Sequence, residues 1–233
     1  MKKQMPGNRV VYCAHRPWNL RRFEDVRRLV PGEWNLVSKK SDLTIERLMA
    51  WKPSKVFFLD WSWMVPHEIV SGFECIGFHP TDLPFGRGGS PYQNLILKKK
   101  YKSVLSAFRL TDEVDAGPVY LKKPIELSGR AEEFFERISF VTVEMIKEIV
   151  EGQIEPVSQK GRIAKFRRRQ GKDNHIPRHL KDLDSFYDFV RMLDAPTYPQ
   201  SYVDHGRFRL YFGRAEHRGT EVTVSVRVVL RDH

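Results

Sequence analysis

The chain has 233 residues, of which 41% are hydrophobic and 12% aromatic. This size suits one large domain, or one domain with a small appendage, and it excludes a mini-protein and a disordered chain. Lysine and arginine outnumber aspartate and glutamate by 40 to 29, which gives a formal net charge of +11. That excess favours anionic partners such as phosphates, nucleotides or nucleic acid, without choosing among them.

The sequence predicts a cytoplasmic protein without a membrane segment. Its longest apolar runs, Val56–Leu59 and Val222–Leu230, are far shorter than the roughly 20 residues that span a bilayer. The basic start, Met1–Asn8, lacks the apolar stretch of a secretory signal. We expect Cys13 and Cys75 to be reduced and buried, and we assign neither a disulfide nor a metal site.

Short apolar runs alternate with helical patterns through the first 160 residues. Strands are predicted at Val10–Ala14, Trp34–Val37, Lys55–Leu59, Cys75–His79, Ser103–Leu110 and Val119–Lys123. Helices are predicted at Phe23–Val30, Leu43–Trp51, Pro66–Val70, Tyr92–Leu97 and Ala131–Glu151, the last with Gly152 as its stop. This alternation predicts a Rossmann-like α/β fold, with a mostly parallel sheet and helices on both faces.

The composition changes beyond Gly161. A basic, polar linker is predicted as far as His179, followed by a short helix at Asp184–Leu193 and two or three antiparallel strands within Tyr202–Leu230. We therefore divide the chain into a main α/β domain (residues 1–160), a linker with a short helix (161–201) and a small β-rich element (202–233). The basic run Lys165–Arg169 is either a solvated face or an anion site.

Two unusual segments lie where ligand-binding loops are expected, at the carboxyl ends of parallel strands. In the first, a strand delivers His79 into a glycine- and proline-rich loop that ends at Pro91. In the second, Asp115 stands in a turn that closes at Gly117. Taken separately, the histidine can be structural and the aspartate can be only a turn residue.

Together the two segments resemble the formyltransferases that use 10-formyltetrahydrofolate. That family pairs a loop of the form Asn-x-His-x-Ser-Leu-Leu-Pro, followed by Arg-Gly and a proline, with a distant Asp-x-Gly. The corresponding residues here are His79, Thr81, Leu83, Pro84, Arg87, Gly88, Pro91, Asp115 and Gly117. The resemblance covers roughly residues 50–203. One position departs from the pattern, because Gly77 stands where the family has a catalytic asparagine.

The resemblance implies formyl transfer, with 10-formyltetrahydrofolate as cosubstrate and no metal. It assigns His79 as the general base and Asp115 as its partner. Asn94, the Thr81 hydroxyl or a backbone N–H would replace the missing asparagine at the oxyanion. The implied catalytic residues are therefore His79, Asp115 and Asn94; the cofactor-binding residues are Trp63, Met64, Val65, Phe85, Arg87 and Gly88; the substrate-binding residues are Thr81, Tyr198 and Arg168.

The acceptor that we favour is the amino group of a nucleotide-linked amino sugar. The loop is similar to that of enzymes of pseudaminic-acid-type pathways, whose substrate would be a UDP-linked 4-amino-4,6-dideoxy sugar. One alternative is methionyl-tRNA, although the tRNA enzymes carry a larger C-terminal barrel and only about 30 residues follow Tyr202 here. Another is a non-catalytic relative that binds anions or nucleic acid. We do not expect nucleic acid as the partner, and the sequence leaves a homodimer open.

Overall fold

The computed structural model describes residues 8–231. Two parts of the predictions lie outside the described residues. They are Met1–Gly7, which belong to the segment examined for a secretory signal, and residues 232–233, the end of the predicted β-rich element. The strands are β1 (Arg9–Ala14), β2 (Glu33–Val37), β3 (Lys55–Leu59), β4 (Cys75–His79), β5 (Phe85–Gly88), β6 (Lys102–Arg109), β7 (Val119–Glu126), β8 (Ala164–Phe166), β9 (Ser201–His205), β10 (Phe208–Arg218) and β11 (Glu221–Leu230). The helices are α1 (Pro17–Arg21), α2 (Phe23–Leu29), α3 (Ile45–Trp51), α4 (His67–Gly72), α5 (Pro91–Leu97), α6 (Ala131–Gly152) and α7 (Leu183–Arg191).

The described residues group into two compact units. The first contains residues 8–87, 104–125 and 136–165, and the second contains residues 88–103, 126–135 and 166–231. Both are discontinuous along the chain, whereas the sequence analysis predicts consecutive segments. The chain therefore enters and leaves each unit more than once.

A six-stranded sheet dominates the first unit, with strand order β2-β1-β3-β4-β6-β7. β1 pairs in parallel with β2 and with β3, and β3 pairs in parallel with β4. β6 runs antiparallel to β4, so that His79 faces Ser106 across the pair. The predicted Rossmann-like, mostly parallel sheet is confirmed, and its carboxyl edge gathers the ends of β1, β3 and β4.

The core of the first unit forms because the central strands are continuous apolar runs. Val11, Val56 and Ile69 are fully buried or nearly so, at 0%, 0% and 1% exposed. Cys13 and Cys75 lie in the same cluster as free, buried thiols, as predicted. Burial raises the pKa of Cys75 to about 12 and that of Cys13 well above its usual value.

The second unit contains an antiparallel sheet in the order β11-β10-β9. α7 begins at the cap residue Asp182, whose carboxylate accepts a hydrogen bond from the Ser185 backbone N–H at 2.6 Å. Its buried Asp188 accepts hydrogen bonds from Lys99, Tyr101 and Arg191 at 2.9, 2.6 and 2.8 Å. The predicted β-rich C-terminal element is therefore a three-stranded sheet.

Several predicted boundaries differ from the structure. The single helix predicted at Phe23–Val30 is preceded by a separate short helix, α1, and α6 includes Gly152 instead of stopping before it. The predicted linker contains β8, which pairs with β5 in a small two-stranded sheet, and a 3-10 turn at Gly171–Asn174. Among the helices of residues 8–231, none has the length and apolar character needed to cross a membrane.

Candidate active site

His79 ends β4 at the carboxyl edge of the sheet and is buried, with 6% of its surface exposed. Its Nε2 lies 2.8 Å from the carbonyl oxygen of Gly86. Because a carbonyl can only accept, Nε2 carries the proton and donates it, and a neutral ring has its lone pair on Nδ1. The Gly86 contact therefore fixes both the tautomer and the orientation of the ring.

The Nδ1 atom of His79 faces Asp115, whose Oδ2 lies 3.6 Å away. The Asp115 side chain is 17% exposed and that of His79 is 7% exposed, so the pair is open to solvent mainly on the carboxylate side. A basic nitrogen directed at a carboxylate is suited to accept a proton, since the imidazolium that forms is stabilised by the adjacent negative charge. The structure thus brings together the two side chains that the sequence places 36 positions apart.

Asp115 adopts a left-handed backbone conformation, with φ of 54°. Aspartate tolerates this region better than most residues. Gly117 completes the turn because a Cβ there would lie 1.8 Å from the carbonyl oxygen of Arg109. The Asp-x-Gly motif is therefore required by the path of the backbone, and this path presents the carboxylate to His79.

Gln159, which is not part of the Asp115 turn, stabilises that turn by hydrogen bonds to its backbone. Its Nε2 donates to the carbonyl oxygens of Asp115 and Gly117, both at 2.8 Å. Its Oε1 accepts from Arg87, at 3.1 Å from Nε and 2.9 Å from Nη2. Arg87 also contacts Glu113 at 3.3 Å, and its side chain is 8% exposed. Arg87, which the sequence assigns to the cofactor, is thus part of the support beneath Asp115.

Sequence analysis missed Gln159 and Glu113. Glu113 stands two positions before Asp115. Its position beside the Asp-x-Gly motif is the one sequence feature that points to it. Gln159 lies 44 positions from Asp115 and has no motif around it. An isolated amide in a polar stretch gives no pattern that would identify its partner.

Thr81 is fully buried in the loop after His79, and its hydroxyl has no hydrogen-bond partner among residues 8–231. Its backbone oxygen accepts from Ser106 Oγ at 2.7 Å. Lys122 holds the same loop through Asp82 and through the Leu83 carbonyl oxygen, the latter at 2.7 Å. The loop is therefore anchored to β6 and β7, and within it the Thr81 hydroxyl has no hydrogen-bond partner in the described chain.

The position of the family asparagine is filled by apolar side chains. A Cβ at Gly77 would lie 2.8 Å from Leu110 Cδ2 and 3.2 Å from two ring carbons of Phe108. The Phe108 ring also packs edge-on against His79, with 6.5 Å between ring centroids. An asparagine at position 77 would need Leu110 to move, so the departure from the family pattern is built into the packing.

An aromatic cluster lies at the ends of β1 and β3. The Trp63 ring is 4.5 Å from His15 and 4.9 Å from Trp61, measured between centroids. His15 Nε2 contacts Ser62 Oγ at 3.0 Å, and burial, reinforced by Arg16, holds the pKa of His15 below its usual value. The Trp61 indole N–H is buried without a hydrogen-bond partner in the described chain.

The remaining residues of the predicted cofactor site differ in exposure. Met64 is 75% exposed, whereas Val65 packs against the core of the first unit. Phe85 is half-buried at the start of β5. Met64 and Trp63 therefore have surface available to a ligand, and Val65 contributes mainly to packing.

The other predicted site residues belong to the second unit, so they are described within it. Asn94 Nδ2 donates to the carbonyl oxygens of Ser90 and Arg167 at 2.9 and 3.1 Å, so its amide hydrogens already have acceptors. A Cβ at Gly88 would lie 2.5 Å from the Phe166 carbonyl oxygen. Arg168 is exposed, and the Tyr198 ring lies 5.2 Å from that of Phe135. The functional roles of these residues stay predictions.

No cluster of three or more histidine, cysteine, aspartate or glutamate side chains within residues 8–231 is arranged to hold a metal ion. The candidate site comprises the His79–Asp115 pair, the Thr81 hydroxyl and the aromatic cluster at the same edge of the sheet.

Comparison with known proteins gives a consistent result. A family model for the C-terminal domain of methionyl-tRNA formyltransferase matches residues 171–229. The structure of a methionyl-tRNA formyltransferase from Clostridium thermocellum is similar over 96% of this chain and 99% of its own, with 33% identity and a TM-score of 0.93. A sugar N-formyltransferase from a Shewanella species covers 88% of this chain and 96% of its own at 16% identity, with a TM-score of 0.66. At that identity the likeness shows the fold alone.

A methionyl-tRNA formyltransferase from Bacillus mycoides is 23% identical over 166 residues, which are 68% of this chain and 52% of the relative. The chain thus spans about half the length of the curated relatives it matches. The structure is that of a Rossmann-like α/β protein with a histidine–aspartate pair at the carboxyl edge of its sheet. Because the Clostridium thermocellum protein is 33% identical over nearly the whole of both chains, this chain belongs to the formyltransferase family. The resemblance predicted from the two motifs is confirmed at that level.

Proposed function

We propose that this protein transfers the formyl group of 10-formyltetrahydrofolate to the amino group of a nucleotide-linked amino sugar. The observation that carries the proposal is the buried His79 ring, oriented by Gly86 with Nδ1 directed at the Asp115 carboxylate 3.6 Å away. Formyl transfer to an amine needs a base for the amine proton, and a fixed imidazole beside a carboxylate supplies one.

The proton follows a simple course in this site. As the acceptor nitrogen attacks the formyl carbon, its proton passes to Nδ1 of His79, and Asp115 stabilises the imidazolium. The carbon–nitrogen bond to the folate then breaks, and the same proton passes from His79 to the departing folate nitrogen. The negative charge on the formyl oxygen needs a hydrogen-bond donor, and the unpaired hydroxyl of Thr81 fits this role.

The residues at the ends of β1 and β3 fit a reduced pterin. Trp63 offers an aromatic face, and the Trp61 indole N–H is a buried donor without a partner in the described chain. A structure of HypX from Aquifex aeolicus in complex with tetrahydrofolic acid shares this fold over 89% of our chain and 37% of its own, at 18% identity and a TM-score of 0.72. We infer that Trp63 and Met64 contact the cosubstrate, and the cofactor-binding roles of Val65, Phe85, Arg87 and Gly88 stay predictions.

For the acceptor, we infer a UDP-linked 4-amino-4,6-dideoxy sugar. The support is the likeness in fold to a sugar N-formyltransferase from a Shewanella species and to a 4-N formyltransferase from Francisella tularensis. Arg168 and Tyr198 stay proposed contacts of the acceptor. A homodimer also stays a prediction: β11 is an edge strand on which Val226, Val228 and Leu230 are exposed, and oligomers bury surfaces of this kind.

Methionyl-tRNA is the second candidate acceptor. It is favoured by the family model that matches residues 171–229 and by the similarity to the Clostridium thermocellum protein. A direct assay separates the two: the protein is incubated with 10-formyltetrahydrofolate and either the UDP-linked amino sugar or methionyl-tRNA, and release of tetrahydrofolate is followed. Turnover with methionyl-tRNA alone contradicts the sugar proposal, and no turnover with either contradicts formyl transfer to these amines.

In the assay that shows turnover, His79→Ala and Asp115→Asn should each lower kcat by at least about a hundredfold, as expected for a general base and its partner. The chain offers a matched control in the exposed pair His67 and Asp112, whose Nδ1 and Oδ1 lie 2.7 Å apart. His67→Ala and Asp112→Asn should leave kcat within about twofold of wild type, because they remove the same chemistry from the surface. Near-normal rates in either active-site variant would exclude that residue from the mechanism.

A further inference from the structure

A cavity in the second unit combines aromatic rings with positive charge. It has a volume of about 490 Å³, and six of its lining residues are Lys172, Tyr198, Tyr202, Arg209, Tyr211 and Arg227. No acidic side chain is among the described residues that line it. Tyr198, a proposed contact of the acceptor, is among the lining residues, whereas none of the others has a role in the proposed formyl transfer.

The guanidinium groups and the rings of this cavity are already stacked. Arg209 lies over Tyr202 at 4.0 Å and Arg227 lies over Tyr211 at 4.5 Å, each measured to the ring centroid. Arg209 is also held by Asp204 through two hydrogen bonds of 2.7 and 3.0 Å. The Tyr202 and Tyr211 rings lie 6.1 Å apart, inclined at 55° to each other, and these contacts hold each of them in place. Each ring is thus a separate platform for a planar group.

Asp204 pairs with Arg209, but the other two cations of the cavity have no carboxylate partner in the part of the chain that the structure describes. Lys172 and Arg227 are exposed, and no carboxylate of residues 8–231 lies within ion-pair distance of either. Arg227 makes one long contact, 3.5 Å to Gln200 Oε1. Two cations without counter-ions beside stacked tyrosines are suited to an anion that carries a planar ring.

The walls of the cavity are held in place. Asn174 is 3% exposed, and its Nδ2 donates to the carbonyl oxygen of Pro199 at 3.2 Å. This bond ties the 3-10 turn that carries Lys172 to the segment before β9. The Ile176 backbone N–H donates to the Tyr202 carbonyl oxygen at 2.8 Å, and the His175 ring packs edge-on against Tyr202. A preformed cavity loses little conformational entropy when a ligand enters.

We propose that this cavity binds a nucleoside diphosphate, with the base stacked on Tyr202 or Tyr211 and the phosphates on Lys172 and Arg227. The volume suits one nucleotide, since small-ligand sites range from about 300 to 1,000 Å³. Two unpaired cations match two phosphates, whereas a nucleic acid is held by a longer row of positive charges. Stacking does not select the base, so the class is defined by the ring and the diphosphate. The nucleotide is either free or linked to a sugar, and this binding does not depend on formyl transfer.

The test is titration calorimetry on the full chain with UDP, ADP and GDP, and with uridine and pyrophosphate as fragments. We expect at least one diphosphate to bind about tenfold or more tightly than either fragment, because base and phosphates contribute together. Equal affinity for pyrophosphate, or no binding of any of the three nucleotides, overturns the proposal. UDP-N-acetylglucosamine tests whether the bound nucleotide is free or linked to a sugar. If it binds as tightly as UDP, the cavity takes a sugar-linked nucleotide. If it binds more weakly than UDP, the cavity takes a free nucleotide.

Paired variants locate the site. Lys172→Gln with Arg227→Gln should weaken nucleotide binding about tenfold or more, because two charge-assisted contacts are lost. The control is Lys181→Gln with Arg207→Gln, which removes the same charge from exposed residues of the second unit and should change affinity less than about twofold. Tyr211→Leu should weaken nucleotide but not pyrophosphate. Unchanged affinity in the first double variant, or binding of an RNA oligonucleotide that UDP does not displace, contradicts the proposal.

Discussion

The burial of the Thr81 hydroxyl lowers the free energy of unfolding instead of raising it. Its side chain is fully buried, and its hydroxyl has no partner in the described chain. A buried donor left in this state costs about 1–3 kcal/mol in the free energy of unfolding. A hydroxyl maintained at such a cost, two positions after His79, is consistent with a contact that forms only when substrate is bound.

Thr81→Val removes the hydroxyl and keeps the shape of the side chain. We expect the free energy of unfolding to stay equal or to rise by about 1 kcal/mol, because no hydrogen bond is lost. We expect kcat to fall about tenfold or more, because the developing oxyanion loses a donor. Urea unfolding and the formyl-transfer assay measure the two effects, and Thr81→Ser is the control that keeps the donor. An unchanged kcat in the valine variant would remove Thr81 from the mechanism.

At the scale of residues, the sequence predicted the side chains that belong to a motif and not their surroundings. His79 and Asp115 stand in motifs with fixed spacing, and the structure brings their side chains together. The tautomer of His79 depends on the carbonyl of Gly86, and a backbone carbonyl leaves no trace in residue type. The unpaired state of Thr81 is likewise a property of packing.

At the scale of elements, the turn that presents Asp115 depends on Gln159. The amide of Gln159 donates to two carbonyls of the turn and accepts from Arg87, so one side chain joins three segments of the first unit. Without it, the left-handed conformation of Asp115 loses its outer support. Gln159 is therefore a positioning residue for the carboxylate.

Gln159→Ala should lower kcat about tenfold while KM changes less than about twofold, because the carboxylate is misplaced and the binding surfaces remain. Gln159→Glu keeps the acceptor for Arg87 but removes both donors, so its kcat should stay low. Lys160→Ala, at the exposed neighbouring position, is the control and should behave as wild type. Normal kcat in both Gln159 variants would show that the Asp115 turn keeps its conformation without the hydrogen bonds of Gln159.

The buried strands were predicted most closely. β3 and β4 have the predicted bounds because each is a short apolar run covered on both faces. The break between α1 and α2 at Arg22 and the three-residue strand β8 were missed. Arg22 is neither glycine nor proline, and β8 includes the first two residues of the basic run Lys165–Arg169, for which the sequence predicts a solvated face or an anion site. Both features depend on contacts that local sequence patterns do not report.

At the scale of the whole molecule, Cys13 and Cys75 report on the integrity of the first unit. Both thiols are buried in strands of the central sheet. Burial raises the pKa of Cys75 to about 12, so almost none of this thiol is ionised at pH 8. The thiolate is the reactive form, and the folded sheet also blocks access to it.

We expect a thiol-specific aromatic disulfide reagent at pH 8 to label the native protein at least about a thousandfold more slowly than free cysteine. Labelling should become complete in denaturant, at a midpoint that matches the loss of helical circular dichroism. Cys13→Ala and Cys75→Ala each leave a single thiol and assign the signal. Rapid labelling of one thiol under native conditions would show that its strand opens without unfolding of the unit.

The composition of the two compact units could not be predicted from the sequence, and the division into a main domain, a linker and a C-terminal element stays a prediction. The predicted main domain, linker and C-terminal element follow changes in composition along the chain. The two units of the structure instead collect distant segments, such as residues 8–87 with 136–165. Composition reports on neighbours in sequence, whereas compact units are defined by contacts across it.

The packing around Gly77 also has a consequence for engineering. Leu110 and Phe108 occupy the room that a side chain at position 77 would take. Any side chain introduced at position 77 must therefore displace the end of Leu110 and press on the Phe108 ring. A graft that places an asparagine at position 77 is best made together with a smaller residue at position 110, which provides the room.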